Sequence, residues 1–176
     1  MANYVYIATS LDGFIATTDG GIDWLNEIPN PEQSDFGFSD FMSGIDALVM
    51  GRKTFEKVLS FGFWAYKKPV FVLSNSLKQV PKAATGNIDI VSGDLRKVVG
   101  SLNARGFNHL YIDGGITIQS FLKEDLIDEM IITKVPILLG DGIPLFGKLT
   151  QSMKFKHAGT NVLNNSLVMS HYTRER

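Results

Sequence analysis

Three short stretches carry residue types that could hold a phosphorylated ligand, and each follows an apolar run. The first is Gly51-Arg52-Lys53-Thr54, where a glycine opens a helix and is followed by two cations and a hydroxyl. Backbone N–H groups at a helix start, together with an arginine, form a natural site for phosphate. A helix start with a solvated pair of charges is the alternative, and the residues alone leave both interpretations open.

The other two stretches have the same kind of composition. Leu73-Ser74-Asn75-Ser76 offers small polar groups that could hold an extra phosphate, such as the 2′-phosphate that separates NADP from NAD. In Asp113-Gly114-Gly115, paired glycines let the backbone approach a ligand closely. Taken alone, the Ser74 stretch is better explained as a common turn, and a tight strand-to-helix turn is the alternative for the Asp113 stretch. Neither is the G-x-G-x-x-G of the usual dinucleotide fold, and there is no P-loop lysine motif, so a dinucleotide would bind by another scheme.

Asp35 is the carboxylate that could handle a proton. It precedes Phe36 and Phe38, and a carboxylate beside apolar rings would have its pKa raised and could donate or relay a proton. A helix cap is the alternative interpretation. The three histidines are scattered without the spacing of metal ligands or a catalytic triad, so no metal site is predicted.

These residues need elements that position them, and the apolar pattern predicts those elements. Short β-branched and aromatic runs predict strands at 4–9, 47–50, 70–73, 88–91, 110–112, 130–135, 154–159 and 167–172. Helices are predicted at 32–42, from Gly51 onward, at 94–106 and at 113–122. Residues 12–32 form a long polar stretch typical of a lid or binding loop. Strands that alternate with helices imply a mainly parallel sheet, and the last segments imply antiparallel hairpins, with Asn164-Asn165 as a turn.

Composition limits the class of protein. The 176 residues suit one domain over 1–176, with 44% hydrophobic residues and a net charge of −1. That charge favours neither nucleic acid nor an anionic membrane as a partner. The chain has no cysteine, no signal-peptide pattern and no apolar stretch of the roughly 20 residues that span a bilayer, so we expect a cytoplasmic protein.

The order and spacing of several fragments resemble the dihydrofolate-reductase superfamily, and most closely its RibD C-terminal reductase domains of riboflavin biosynthesis. The similarity covers nearly the whole chain. It includes Ser10-Leu11-Asp12-Gly13-Phe14-Ile15-Ala16, the stretch from Ile45 to Glu56, Val72-Leu73-Ser74, Asp113-Gly114-Gly115, Leu126-Ile127-Asp128-Glu129, and the stretch from Pro136 to Phe146. It implies a three-layer α/β fold with a mainly parallel central sheet, flanking helices and antiparallel carboxyl-terminal hairpin strands.

The resemblance also implies a cofactor and a set of site residues. The cofactor would be NADPH, held by Ala8, Ile15, Gly51, Arg52, Lys53, Thr54, Leu73, Ser74, Asn75, Asp113, Gly114, Gly115, Ile116 and Thr117. Ala8 and Ile15 would flank the nicotinamide. Asp35 would be the acid and Thr133 the hydroxyl that partners it. The substrate would contact Tyr6, Trp24, Phe36 and Phe38, with Trp24 in a mobile loop that closes the site.

Two departures from the family pattern bear on function. The usual three-glycine turn begins here with Asp113, which alters the pyrophosphate contacts or places an extra acid near the cofactor. The loop before Asp35 is unlike that of folate enzymes. Three functions therefore stay open: a reductase of a ribosylated aminopyrimidine or a related small heterocycle, a dihydrofolate reductase, and a non-catalytic NADP-binding sensor or structural protein. Relatives of the riboflavin type lead us to expect a homodimer.

Overall fold

The computed structural model describes residues 1–82 and 84–176. The strands are β1 (Ala2–Thr9), β2 (Phe14–Ala16), β3 (Ala47–Gly51), β4 (Val70–Leu73), β5 (Ile88–Val91), β6 (His109–Asp113), β7 (Glu129–Lys134), β8 (Ile143–Pro144), β9 (Lys154–Leu163) and β10 (Leu167–Glu175). The helices are α1 (Phe38–Ser43), α2 (Arg52–Leu59), α3 (Leu95–Ala104) and α4 (Gly115–Lys123), with a 3-10 turn at Asp23–Leu25. None of the helices over these ranges is long and apolar enough to cross a membrane.

Eight strands form one sheet in the order β5-β4-β3-β6-β1-β7-β10-β9, and β2 pairs with β8 in a small second sheet. The six strands from β5 to β7 in this order run parallel, whereas β10 is antiparallel to β7 and to β9. Asn164 and Asn165, at the turn between β9 and β10, have φ values of 49° and 53°. The predicted α/β architecture with antiparallel carboxyl-terminal strands is confirmed.

The two faces of the large sheet carry different cores. One face packs against α3 and α4 through aliphatic side chains such as Val98, Leu102 and Ile118, together with Phe121. The other face packs against α1 and α2 and is rich in aromatic side chains, so we call it the aromatic face. Its members include Phe55, Tyr111, Tyr4, Tyr6, Phe38, Phe41, Trp64 and Tyr66. Burial of this apolar surface on both faces holds the parallel strands in place.

The helix predicted at 32–42 begins later than expected, at Phe38. Asn30 closes a turn before it, because its side chain accepts a hydrogen bond from the Ser34 N–H (2.9 Å) and donates one to the Ser34 carbonyl (2.8 Å). Gly37 then has a φ of 88°, outside the helical region. The prediction was wrong because apolar spacing alone does not reveal such side-chain turns.

The predicted lid at 12–32 is mostly loop but includes two short regular elements. It contains β2 and the 3-10 turn, and Trp24 is buried at 6% exposure in a third cluster with Val135 and Leu167. Trp24 is therefore buried in this structure, and its place in a mobile loop that closes the site, which the resemblance implied, stays a prediction. Its indole is a core anchor between this segment and the β7 and β10 side of the sheet.

The carboxylate of Asp12 ties this segment to the loop that follows β7. It accepts hydrogen bonds from the N–H groups of Leu139 (3.2 Å) and Gly140 (2.8 Å), and from the hydroxyl of Ser10. The Ser10 hydroxyl and these N–H groups hold the pKa of Asp12 below its ordinary value. The ionised carboxylate is thus the form that holds the two loops together.

We expect Asp12→Asn to loosen the loop around Leu139 and Gly140, because an amide is a weaker acceptor than a carboxylate. Hydrogen–deuterium exchange should show faster exchange at these two amides, with little change in the strands β3 and β4. Since the folded pKa is lowered, the wild-type loop should also loosen as the pH falls through that pKa, and the variant should not. Unchanged exchange at both amides would contradict this role of Asp12.

Candidate active site

A slot opens in the large sheet where β1 and β6 separate. The two strands pair from Ala2–His109 only to Tyr4–Tyr111, whereas β1 continues to pair with β7 as far as Thr9. At the point of separation the Tyr111 hydroxyl donates a hydrogen bond to the Tyr6 carbonyl (3.0 Å). We call this gap the slot. Tyr6 and Ala8 lie on its β1 side, and Asp113 and Gly114 lie on its β6 side.

Two glycine turns meet beside the slot, because β3 and β6 are neighbouring strands and both end there. A Cβ at Gly51 would come within 2.8 Å of the Thr117 hydroxyl. A Cβ at Gly114, which has a φ of 93°, would overlap the Thr54 hydroxyl. Each turn therefore needs its glycine because the threonine of the other turn occupies the space, and the starts of α2 and α4 are held side by side.

Both helix starts have free N–H groups to offer. The caps of α2 and α4 are Gly51 and Gly114, which have no side chain to accept from those N–H groups. In contrast, α3 is capped by Asp94, whose carboxylate accepts from the Lys97 N–H (3.0 Å). An anion between the starts of α2 and α4 would receive the hydrogen bonds that a capping side chain supplies elsewhere.

Arg52 joins the first predicted stretch to the second. Its guanidinium donates to the Ser76 hydroxyl (3.0 Å) and to the Glu56 carboxylate (2.6 Å). The Ser74 hydroxyl lies 3.4 Å from that of Ser76 and accepts from two backbone N–H groups of the same turn. Arg52, Ser74 and Ser76 thus form one cationic and hydroxyl-bearing corner at the end of β3 and β4. Of the remaining predicted residues here, Lys53 and Asn75 are exposed and Leu73 is half-buried.

The residues expected beside a nicotinamide lie next to these turns. A Cβ at Gly115 would come within 2.8 Å of the Ile15 Cδ1, so β2 lies directly against the start of α4. Ala8 is partly buried on β1. Ile116 is 66% exposed, whereas Thr117 is buried against Gly51. Ile15 therefore lies beside the backbone N–H groups at the start of α4.

Asp35 does not have the environment that the sequence predicted. Its carboxylate is exposed and accepts hydrogen bonds from the N–H groups of Gly37 (3.0 Å) and Ser39 (2.9 Å). The side chain of Ser39, followed by these N–H groups, lowers the pKa of Asp35. The predicted upward shift is wrong because the carboxylate closes the turn before α1, as the alternative interpretation had it, and does not lie buried among the rings.

Thr133 lies on β7, opposite Ala8 of β1, and is 8% exposed. In the part of the chain that the structure describes, the hydrogen bonds of Asp35 go to Gly37 and Ser39 and none goes to Thr133. The pairing of acid and hydroxyl that the resemblance implied is therefore not formed in this conformation. The roles of both residues stay predictions.

The four residues predicted to contact a substrate divide between two clusters. Tyr6 and Phe38 belong to the aromatic face, with their rings 5.6 Å apart. Phe36 has a φ of 56° and packs in the same cluster as Trp24. The Tyr6 hydroxyl connects the two groups, since it donates to the Phe36 carbonyl (2.7 Å). Phe36 and Phe38 do not lie on one helix face, because the chain turns between them at Gly37.

Asp113 is the carboxyl whose environment sequence reasoning missed. It ends β6 on the side of the slot, and its Oδ1 accepts from the Gly114 N–H (2.8 Å). Burial raises the pKa of Asp113 to about 6, while the Gly114 N–H and the Tyr66 hydroxyl oppose this rise. The only signal in the sequence was that an acid begins the glycine turn. Tyr66, which lies between α2 and β4, carried no signal at all.

The donor set fits a phosphorylated dinucleotide. Two uncapped helix starts and a guanidinium can receive anionic oxygens. Ile15 is an apolar side chain directly beside the start of α4 and can contact a flat ring.

Comparison with known proteins gives a consistent picture. The family model of the RibD C-terminal domain matches residues 4–169. The uncharacterized protein YwjB of Bacillus subtilis is 38% identical over 173 residues, which cover 97% of this chain and 96% of YwjB. A crystal structure described as a putative riboflavin biosynthesis protein of Shewanella sp. PV-4 is 54% identical, with full coverage of both chains and a TM-score of 0.97.

More distant solved structures share the fold. The deaminase and 5-amino-6-(5-phosphoribosylamino)uracil reductase of Thermotoga maritima is 16% identical, with a TM-score of 0.75 over 98% of this chain and 56% of that one. A dihydrofolate reductase of Enterococcus faecalis, complexed with NADP(H), is also 16% identical, with a TM-score of 0.67 over 99% and 97% of the two chains. The predicted dihydrofolate-reductase-like fold is confirmed by these neighbours.

We expect Asp113→Asn to change how stability depends on pH. A folded pKa of about 6, against 3.8 in the unfolded chain, means that the stability from this group is complete below pH 3.8 and is lost as the pH rises through 6. The loss corresponds to about 3 kcal/mol at most. Thermal unfolding should therefore show that the variant gains stability over the wild type at pH 8 but not at pH 4. A constant difference across this range would mean that Asp113 titrates normally.

Proposed function

This chain belongs to the RibD C-terminal domain family, and we propose that it is an NADPH-dependent reductase of a small polar heterocycle. The substrate type that we favour is an aminopyrimidine carrying a sugar, as in 5-amino-6-(5-phosphoribosylamino)uracil reductases. The neighbouring deaminase–reductase of Thermotoga maritima is described by that activity, and the chain matches 56% of its length. Dihydrofolate is the alternative substrate, and the Enterococcus faecalis neighbour is described as a dihydrofolate reductase.

One observation supports the proposal above the others. The uncapped starts of α2 and α4 lie side by side, locked by the contacts of Gly51 with Thr117 and of Gly114 with Thr54. The pyrophosphate of a dinucleotide is the ligand that such a paired anion site suits best. The corner formed by Arg52, Ser74 and Ser76 would receive the 2′-phosphate of NADPH, because a guanidinium and two hydroxyls match its charge and its oxygens.

When bound, NADPH supplies a hydride from its nicotinamide ring. The chain's own residues would orient that ring and keep water away. Ile15 would offer an apolar contact beside the start of α4, and the Asp12 carboxylate holds together the loops that precede β2 and β8. Because the ring would already be held in position, the hydride donor and acceptor carbons could meet without a further loss of conformational freedom.

A reduction of a C=N or C=O bond also needs a proton for the heteroatom as the hydride reaches the carbon. Asp35 with Thr133 is the pair that the resemblance implies, and it stays a prediction. We assign this task to Asp113, because it ends β6 beside the Gly114 turn and its pKa of about 6 leaves a protonated fraction near neutral pH. Asp113 would give its proton to the substrate heteroatom and regain one from water.

The family assignment also leads to a proposal about the oligomeric state of the chain. The homodimer stays a proposal, and the exposed apolar side chains Val162 and Val168 on β9 and β10 are the surface that it would use.

We expect the wild-type protein to bind NADPH more tightly than NADH, as measured by fluorescence titration of both nucleotides. Arg52→Gln should weaken NADPH binding by roughly 10- to 100-fold, because it removes a charge-assisted hydrogen bond to the 2′-phosphate. Binding of NADH, which lacks that phosphate, serves as the matched control and should change little. Equal losses for both nucleotides would reject the assignment of Arg52, and failure of the wild type to bind either would reject the cofactor.

The two candidate acids can be separated by turnover. With NADPH and an aminopyrimidine substrate or dihydrofolate, we expect Asp113→Asn to lower kcat by about 10²–10⁴-fold, the usual contribution of a positioned acid. Asp35→Asn, which removes an exposed carboxylate of lowered pKa, should have a much smaller effect. The reverse order would return the role to Asp35. NADPH binding without turnover of either substrate would favour a non-catalytic sensor or structural protein.

A further inference from the structure

A cavity of about 210 Å³ opens over β7, β10 and β9, and we call it the hollow. The residues that line it are Ile131, Ala158, Gly159, Asn161, Met169 and His171. Two of them adjoin Tyr6 on the β1 side of the slot. Ile131 is the direct partner of Tyr6 on β7, and the sulfur of Met169 lies 3.8 Å from the Tyr6 hydroxyl. The hollow therefore begins where the side chain of Tyr6 ends.

Strand pairing places the hollow in line with residues of the proposed site. Directly paired residues on neighbouring strands have their side chains on the same face of the sheet. Two such rows cross the sheet from β1 to β9, Tyr6–Ile131–His171–Gly159 and Ala8–Thr133–Met169–Asn161. Because neighbouring strands are about 4.8 Å apart, Tyr6 and His171 are separated by roughly 10 Å. A ligand with its ring beside Tyr6 could reach His171 through a chain of about five carbon atoms.

The end of the hollow that is far from Tyr6 is polar. Nε2 of His171 donates to the Glu129 carboxylate (2.7 Å), since an ionised carboxylate can only accept. This bond leaves Nδ1 as the ring nitrogen that can serve a ligand. Asn161 is exposed on β9, and its amide can both donate and accept. A hydroxyl group, which also donates and accepts, suits both side chains.

The charges around the hollow favour an uncharged ligand. His171 and Glu129 form a pair that is neutral when the ring is protonated and negative when it is not. Among the lining residues, within the part of the chain that the structure describes, His171 is the one side chain that can carry a charge. A phosphate or a carboxylate would therefore gain no attraction here. The hollow suits the hydroxyls of a sugar better than the glutamate tail of dihydrofolate.

We propose that the hollow binds an uncharged sugar chain of the substrate, and that Asn161 and His171 are the residues that select it. This inference deepens the proposed function and rests on it for the heterocycle beside Tyr6. The chain would lie over Ile131 and Met169, with its hydroxyls toward His171 and Asn161. It would displace water, because the hollow has the volume of several water molecules at about 30 Å³ each. The substrate class is thus an aminopyrimidine that carries a five-carbon sugar or polyol without a phosphate.

Gly159 offers a direct test, because a side chain there would fill the hollow. A Cβ at Gly159 meets no atom within 4 Å, so Gly159→Leu fits without a clash. Gly100→Leu, on the exposed side of α3 with equally open surroundings, is the matched control. The probes are 5,6-diaminouracil and the same pyrimidine with a ribityl chain on its 6-amino group, both titrated by calorimetry.

We expect the wild type to bind the ribityl compound at least roughly 10-fold more tightly than diaminouracil, because two hydrogen bonds are added. Gly159→Leu should remove this advantage and leave the binding of diaminouracil unchanged, whereas Gly100→Leu should behave as the wild type. An advantage that survives in Gly159→Leu, or one that is absent from the wild type, would overturn the proposal.

A second variant adds no bulk and covers the case in which Gly159→Leu does not fold. Asn161→Ala, at an exposed position, should weaken the binding of the ribityl compound by roughly 3- to 10-fold, because one hydrogen bond is lost, and should spare diaminouracil. Equal affinity of Asn161→Ala and the wild type for the ribityl compound would contradict the role of Asn161. The 5′-phosphate of the ribityl compound should bind no more tightly than the compound itself, and tighter binding would overturn the preference for an uncharged chain.

Two further measurements separate this inference from its rivals. If sedimentation shows a wild-type dimer that Gly159→Leu dissociates, a second copy of the chain covers the hollow and the proposal is overturned. NADPH titration and NADPH oxidation test the proposed function in the same samples. A ribityl advantage without NADPH binding rejects the reductase function only, whereas turnover of dihydrofolate or an aminopyrimidine without a ribityl advantage rejects the role of the hollow only.

Discussion

The separation of β1 from β6 is the constraint on which the rest of the structure depends. Neighbouring parallel strands normally exchange hydrogen bonds along their whole length, and a strand that leaves its partner must find other partners for its backbone. Here the Tyr111 hydroxyl satisfies the Tyr6 carbonyl at the point of separation. Because β1 stays paired with β7 on its other side, the sheet keeps its continuity while a slot opens at its carboxyl edge. The glycine turns that end β3 and β6 lie beside that opening.

The sequence predicted the elements well and the environments of its acids poorly. Strands such as β3 and β4 are short apolar runs, and the turns after them carry glycine and small polar residues, so local chemistry was sufficient to locate them. Asp35 was misjudged because its surroundings depend on the turn that Asn30 and Gly37 impose, which changes where α1 begins. Periodicity carries no information about such a turn.

The misjudged roles share one physical origin. The pKa of Asp113 is raised by burial, to which residues distant in sequence contribute as α2 and the segment after it fold back over the aromatic face. The burial of Trp24 likewise depends on Val135, directly after β7, and on Leu167 of β10. Contacts of this kind are made by the tertiary fold, so they follow neither from composition nor from the spacing of residues along one element.

The interlocked turns also restrict how the chain can change over evolutionary time. Gly51 faces Thr117 and Gly114 faces Thr54, so each turn is shaped by a residue that belongs to the other. A larger residue at Gly51 would be tolerated only together with a smaller one at Thr117. At Gly114 the positive φ adds a second barrier, which a change at Thr54 cannot remove. Substitutions at the two turns should therefore occur as correlated pairs among descendants of this sequence, with Gly114 the slower of the two glycines to vary.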